Sequence, residues 1–108
     1  MISYSKENGL HLITMDEGSS TICPDWHQRM LELLAEVEGD CGQGTSLVLT
    51  GVGKFFCNGL NLEKVVTLTP DEVAVFGRRM GEVHQRLLKL PCPTVAAVNG
   101  HAFAAGAF

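Results

Sequence analysis

The stretch Leu47-Val-Leu-Thr-Gly-Val-Gly-Lys-Phe-Phe-Cys-Asn-Gly-Leu-Asn-Leu62 decides how this chain reads. It begins as a short apolar strand and runs into a glycine-rich turn. A second segment repeats that design after a helix-length spacer: Pro93-Thr-Val-Ala-Ala-Val-Asn-Gly-His-Ala-Phe-Ala-Ala-Gly-Ala-Phe108. Each turn presents backbone N–H groups with no bulky side chain in the way. Strand, turn, helix, strand, turn is the rhythm of a layered α/β fold.

Outward from these segments, the pattern supplies the remaining elements. Ile2–Tyr4 and Leu10–Met15 read as two strands, and Glu7-Asn8-Gly9 carries the Asn-Gly hairpin signal. Asp16 to Thr21 reads as a polar loop. A helix is predicted from about Pro24 to Glu38, because Trp26, Met30, Leu33, Leu34 and Val37 recur at three- and four-residue steps. The glycine-rich run Gly39 to Gly44 should end it through a left-handed residue. Ser46 to Thr50 reads as a buried strand, and Gly51-Val-Gly53 as the turn after it. Thr69-Pro-Asp-Glu72 is a capping box that opens the clearest helix. Its stripe Val73, Phe76, Met80, Val83, Leu87 and Leu90 should face a core. Gly77 and Gly81 weaken this helix by up to ~1 kcal/mol each relative to alanine, and their spacing suits close helix packing. Pro91 and Pro93 stop it. Thr94 to Val98 should be a buried strand, and the Gly100 turn should lead into a helix near Ala104.

Composition narrows the function classes. At 108 residues the chain is at most one domain, with 45% hydrophobic and 19% charged residues. A net charge of -4 and scattered basic residues argue against a nucleic-acid surface. No apolar run approaches the ~20 residues of a membrane span, and the N-terminus lacks a signal-peptide pattern. Cys23, Cys41, Cys57 and Cys92 form no C-x-x-C pair, so reduced thiols are expected. The default is a soluble cytoplasmic protein, with a peroxisomal or mitochondrial address as the alternative in a eukaryote.

The chemistry follows from the turns. Gly51-Val-Gly53-Lys54 after a strand invites a phosphate-loop reading. A Walker A loop would need glycine at position 48 and Ser or Thr at 55, which are Val48 and Phe55. A dinucleotide fingerprint would need glycine at Phe56. Both readings fail. Cys57 with His84 or His101 as its base is a nucleophile candidate, but a packed, inert thiol is the better expectation. The four histidines show no ligand spacing, so no metal is expected. His101 is read as a structural histidine capping a backbone carbonyl. Two glycine turns facing one pocket would hold a developing oxyanion between two N–H donors, which points to acyl-thioester chemistry.

Phe56-Cys-Asn-Gly-Leu-Asn-Leu62 and Ala96-Ala-Val-Asn-Gly-His-Ala-Phe-Ala-Ala-Gly106 resemble the paired signatures of the crotonase family, the enoyl-CoA hydratases and isomerases. The resemblance runs through essentially the whole chain. It implies an α/β fold, a crotonase-like ββα spiral, truncated, with residues 1-108 as the N-terminal part of a single crotonase-like domain. It implies that the Leu60 and Ala105 backbone N–H groups form the oxyanion hole. Asn58, Gly59, Asn61 and Leu62 would lie at the acyl-CoA site; Asn61 stands where many members have aspartate. The ligand is an acyl-CoA thioester, with no separate cofactor, and the full-length family assembles as homotrimers or hexamers. Phe108 matches the position of a catalytic glutamate in hydratases. Phenylalanine carries no exchangeable proton, so the resemblance favours the Δ3-Δ2-enoyl-CoA isomerases, whose base lies in a later segment. On this reading the chain alone is inactive. Two alternatives stay open: a non-catalytic relative that binds acyl-CoA or associates with longer subunits, and another family member such as a hydrolase, dehalogenase or decarboxylase.

Overall fold

The computed structural model describes residues 2–16 and 21–108. Strands β1 (Ile2–Glu7) and β2 (Leu10–Met15) form the expected hairpin, antiparallel, with Ile2 opposite Met15 and Glu7 opposite Leu10. Asn8 (φ 52°) and Gly9 (φ 82°) both take the left-handed conformation that a two-residue primed turn demands. The expected loop from Asp16 falls mostly outside the described residues. Its last residue, Thr21, belongs instead to the short strand β3 (Thr21–Ile22).

Helix α1 (Pro24–Asp40) runs two residues beyond its expected end, through Gly39. Its cap, Cys41, is extended (φ -63°, ψ 135°) rather than left-handed. The helix ends at the sheet, where Asp40 is held from two sides. Lys6 Nζ lies 2.7 Å and His11 Nε2 2.9 Å from Asp40 Oδ2. The Tyr4 hydroxyl is hydrogen-bonded to His11 Nδ1 at 2.6 Å. The hydrogen bond from Lys6 holds the Asp40 carboxyl below its ordinary range. An anchored C-terminal turn replaces the glycine stop that composition suggests.

Strand β4 (Ser46–Gly51) is central. The sheet order is β1-β2-β4-β7, with β4 parallel both to β2 and to β7 (Thr94–Ala97). Along β2, His11, Ile13 and Met15 are buried while Leu12 and Thr14 are half-buried, the two-residue period of a strand with one face against the helices. Neither β4 nor β7 is buried as expected. Only Leu47 of β4 is buried, and every residue of β7 is exposed. Strand β7 lies at the sheet edge, beyond the cover of the helix layer.

Helix α3 (Pro70–Lys89) follows a short helix α2 (Leu62–Val65) and opens with the complete capping box. Thr69 Oγ1 accepts from the Glu72 amide, and Glu72 Oε1 accepts from the Thr69 amide. Phe76 and Val83 are buried against α1, with Met80 and Leu87 packed at the margin. Val73 is exposed, so the stripe faces the core only from its second turn onward. Methyl groups built on Gly77 and Gly81 would meet nothing within 4 Å, so these glycines mediate no close packing among the described residues.

Between the two helices, His27 is fully buried. Its ring lies 4.5 Å from that of Phe76, and Nε2 lies 3.2 Å from Met80 Sδ. Burial, reinforced by Arg79 and His84, lowers its pKa to about 4. The native state therefore keeps His27 neutral, while the unfolded chain protonates it near 6.5. This contribution to stability is complete above pH 6.5 and declines as pH falls towards 4, by up to about 1.4 kcal/mol per pH unit. Urea unfolding of wild type and His27→Leu between pH 7 and 4.5 should show a shallower loss in the variant. Parallel pH curves would remove His27 from the account.

Candidate functional site

The two glycine-rich segments meet because β5 (Phe55–Cys57) pairs in parallel with β8 (His101–Ala102). Phe55 is opposite His101, and Cys57 opposite Ala102. The His101 amide donates to the Lys54 carbonyl at 2.9 Å and the Phe103 amide to the Cys57 carbonyl at 3.0 Å. Parallel β4 and β7 deliver both chain segments to the same end of the main sheet, where this small second sheet forms. Gly106 sits against the Cys57 backbone so closely that any Cβ would overlap its carbonyl.

Asn99 joins the turns, a part that motif reading left unassigned. Its Oδ1 accepts from the Gly51 amide at 2.9 Å. Its Nδ2 donates to the Gly53 carbonyl at 3.0 Å and to the Phe55 carbonyl at 3.4 Å. One amide thus ties the first turn to the second. The sequence signal was the Asn-Gly pair, which reads equally as an ordinary turn.

Gly59 begins β6 (Gly59–Leu60) with φ +85°, a conformation that penalises any L side chain. A methyl group built on it would lie 3.1 Å from the Phe103 carbonyl oxygen, 3.5 Å from Ala104 Cβ and 3.7 Å from the Ala105 nitrogen. The first segment's turn therefore abuts the start of the 3-10 turn Ala104–Ala107, which stands where a helix was expected. Ala104 itself is left-handed (φ 49°), a conformation that costs a residue with a Cβ on the order of 1 kcal/mol.

The backbone amides of this junction are arranged unequally. β6 pairs in parallel with β3, and the Asn61 amide donates to the Ile22 carbonyl at 2.8 Å. Successive amides on a strand point to opposite edges, so the Leu60 N–H points away from β3. In the 3-10 turn, the Gly106 amide donates to the Phe103 carbonyl at 2.8 Å and the Phe108 amide to the Ala105 carbonyl at 3.3 Å. Ala105 lies in the first turn, where amides lack a partner within the helix.

The other expected site residues divide in two. Asn61 Oδ1 caps α2 by accepting from the Lys64 amide at 3.2 Å, a task that asparagine performs as well as aspartate. Leu62 is exposed, and Asn58 is half-buried beside Gly59. Cys57 is buried, which pushes its thiol up, and no imidazole hydrogen-bonds to it among the described residues. Among the described residues, His101 caps no carbonyl. Its ring stacks on Phe103, with centroids 5.5 Å apart and planes at 17°. No group of three His, Cys, Asp or Glu side chains suited to a metal ion occurs among the described residues. Beside the junction opens an apolar depression of about 470 Å³. Phe56, His84, Ala102, Ala105 and Phe108 lie along it.

A four-stranded mixed sheet with helices and two abutting glycine turns matches crotonase-fold structures, among them enoyl-CoA hydratases at TM-scores of 0.83 to 0.87. The family model described as enoyl-CoA hydratase/isomerase matches residues 5–108, and the chain belongs to that family. It is similar to the peroxisomal enoyl-CoA delta isomerase 2 of Arabidopsis thaliana, with 34% identity covering 98% of this chain and 47% of that protein. The 1,2-epoxyphenylacetyl-CoA isomerase of Escherichia coli is 36% identical, covering 94% of this chain and 40% of its own length. Among solved structures, an enoyl-CoA hydratase from Mycobacterium ulcerans superposes with a TM-score of 0.83 at 30% identity, covering 98% of this chain and 46% of that one. The chain thus spans about half the length of the curated relatives it matches.

The two left-handed residues should respond in opposite directions. Gly59→Ala should destabilise by about 1–2 kcal/mol, from φ strain and the close Phe103 carbonyl. Ala104→Gly should stabilise by up to about 1 kcal/mol. Asn99→Ala should cost about 1–3 kcal/mol by leaving its backbone partners unsatisfied. Denaturant midpoints check all three, and a Gly59→Ala protein as stable as wild type would contradict the described junction.

Proposed function

We propose that this chain carries the thioester-binding half of an enoyl-CoA isomerase of fatty-acid β-oxidation. In this reading the Leu60 and Ala105 N–H groups form the oxyanion hole. The observation that carries it is the junction of Gly59 with Ala104–Ala105, which brings together one amide directed away from its strand partner and one in the first turn of a helical segment. Removing a proton next to a thioester carbonyl creates an enolate. Its oxygen gains charge in the transition state, so two preorganised donors lower that barrier selectively. Backbone donors tolerate side-chain change, so leucine at position 60 costs the donor nothing.

Isomerisation is favoured over hydration by Phe108. By the family resemblance it occupies the position of a hydratase glutamate, and a phenyl ring neither accepts nor delivers a proton. The names of the Arabidopsis relatives, enoyl-CoA delta isomerases 2 and 3, support the same choice. The base that shuttles the proton between C2 and C4 belongs, on this reading, to another segment of the complete enzyme. Asn58, Asn61 and Leu62 flank the CoA portion. Two of the Arabidopsis relatives are named peroxisomal, which supports a peroxisomal setting for a eukaryotic version. Trimeric or hexameric assembly is proposed for the complete protein by the same resemblance.

A second reading, a non-catalytic acyl-CoA-binding or subunit-associating relative, is favoured by one observation. Among the described residues lining the apolar depression, the ionisable side chains are Cys57 and His84, and none is a carboxylate.

A proline at Gly59 is a poor probe, since φ +85° is closed to proline. Ala105→Pro deletes one donor at the start of the 3-10 turn, but it also strains the left-handed Ala104 before it, so the fold of the variant is checked first by circular dichroism. In the complete protein, conversion of a 3-enoyl-CoA to the conjugated 2-enoyl-CoA should fall about 10²- to 10³-fold in this variant, mainly in kcat. Unchanged turnover in a folded Ala105→Pro protein would refute the oxyanion role. Binding of the thioester without turnover by the wild type would establish the second reading instead.

A further inference from the structure

Cys41 and Cys92 are 51 positions apart in sequence, yet their sulfurs lie 3.0 Å apart. Both side chains are half-buried against the core margin, so a small reagent has access to them. By contrast, Cys23 and Cys57 are buried. Each partner is also held in place by its backbone. Cys41 caps α1, its amide donating to the Glu38 carbonyl at 3.2 Å. Cys92 stands between Pro91 and Pro93. Both prolines have a fixed φ, and a residue before proline is confined to extended conformations. The connector is fastened further by the Leu47 amide, which donates to the Pro93 carbonyl at 2.8 Å. Two thiols so placed need little rearrangement to join.

We propose that Cys41 and Cys92 form a reversible disulfide that ties the end of α1 to the connector entering β7. The oxidant is a low-molecular-weight disulfide such as oxidised glutathione. The Cys92 thiolate attacks one glutathione sulfur, forming a mixed disulfide and expelling one glutathione thiolate. The Cys41 thiolate then attacks the Cys92 sulfur, forming the protein disulfide and expelling the second glutathione. Two protein thiols are oxidised and one glutathione disulfide is reduced to two thiols, with the protein's protons passing to solvent and to the departing thiolates. Burial and the adjacent Cys92 sulfur push the Cys41 thiol up to about 11, so little Cys41 thiolate is present to open the exchange. The bond would lie on the connector that leads into β7, the strand feeding the second glycine turn. Oxidation would therefore stiffen the scaffold of the site without touching the junction itself.

The test is intact-mass and peptide mapping of the complete protein after incubation with oxidised glutathione. A loss of about 2 Da, a peptide pair linked through Cys41 and Cys92, and reversal by dithiothreitol are expected. The oxidised form should unfold at least about 5 °C higher than the reduced form, because the cross-link spans a long loop. Cys41→Ser should stop at the mixed disulfide on Cys92, a gain of about 305 Da. Intermolecular dimers, a stable mixed disulfide on the wild type, or links through Cys23 or Cys57 would each overturn the proposal. So would a wild-type protein that stays fully reduced.

Discussion

The arrangement depends on the central strand β4 lying parallel to both its neighbours. A parallel pair cannot be closed by a tight turn, so each connection crosses over through a helix. Helix α1 carries the chain from the hairpin to β4, and α3 carries it from the first glycine segment to β7. The consequence is geometric. Because β4 and β7 point the same way, the turns that follow them emerge at the same end of the sheet, and segments more than forty residues apart become neighbours. The β5–β8 pairing, the Asn99 bonds and the contact of Gly59 with Ala105 all follow from that single direction.

Polar groups then fix what the apolar layer leaves loose. Asp40 anchors the end of α1 to the hairpin through Lys6 and His11, and Asn99 joins the two turns through three backbone groups. His11 of the first cluster is buried, whereas Asn99 is exposed. The Asp40 cluster sits where α1 ends, and Asn99 supplies partners for backbone groups of the first turn. The site junction uses backbone in the same way, with Gly59 and Ala104 in left-handed conformations on either side of the close approach. Side-chain identity there answers to conformation, which is why Leu60 is compatible with a donor role and Gly59 is not replaceable at no cost.

The burial pattern shows a layer covered on one part and bare on another. β2 buries one face in the core cluster it shares with α1 and α3, whereas β7 and the residues around Phe108 stay open. Phe103, Val95, Val98 and Phe108 are exposed. The chain corresponds to less than half the length of its curated relatives, and the open face lies on the side of the second segment.

The sequence by itself determined the hairpin, both long helices, the capping box and the two glycine segments, because these rest on local rules. Asn-Gly imposes a turn, a threonine with glutamate three residues later caps a helix, and three-four spacing fixes the apolar face. The paired segments also carried the family. Only the tertiary structure decided the matters that depend on partners distant in the chain. It extended α1 through Gly39, because Asp40 finds Lys6 and His11. It left β7 exposed, since an apolar strand is buried only where another layer covers it. It turned His101 onto Phe103 and placed Asn61 on a helix start. It also set Cys41 beside Cys92. Pairings of that kind are invisible in a one-dimensional pattern, because the free energy that selects them comes from contacts formed only after the sheet has brought distant segments together.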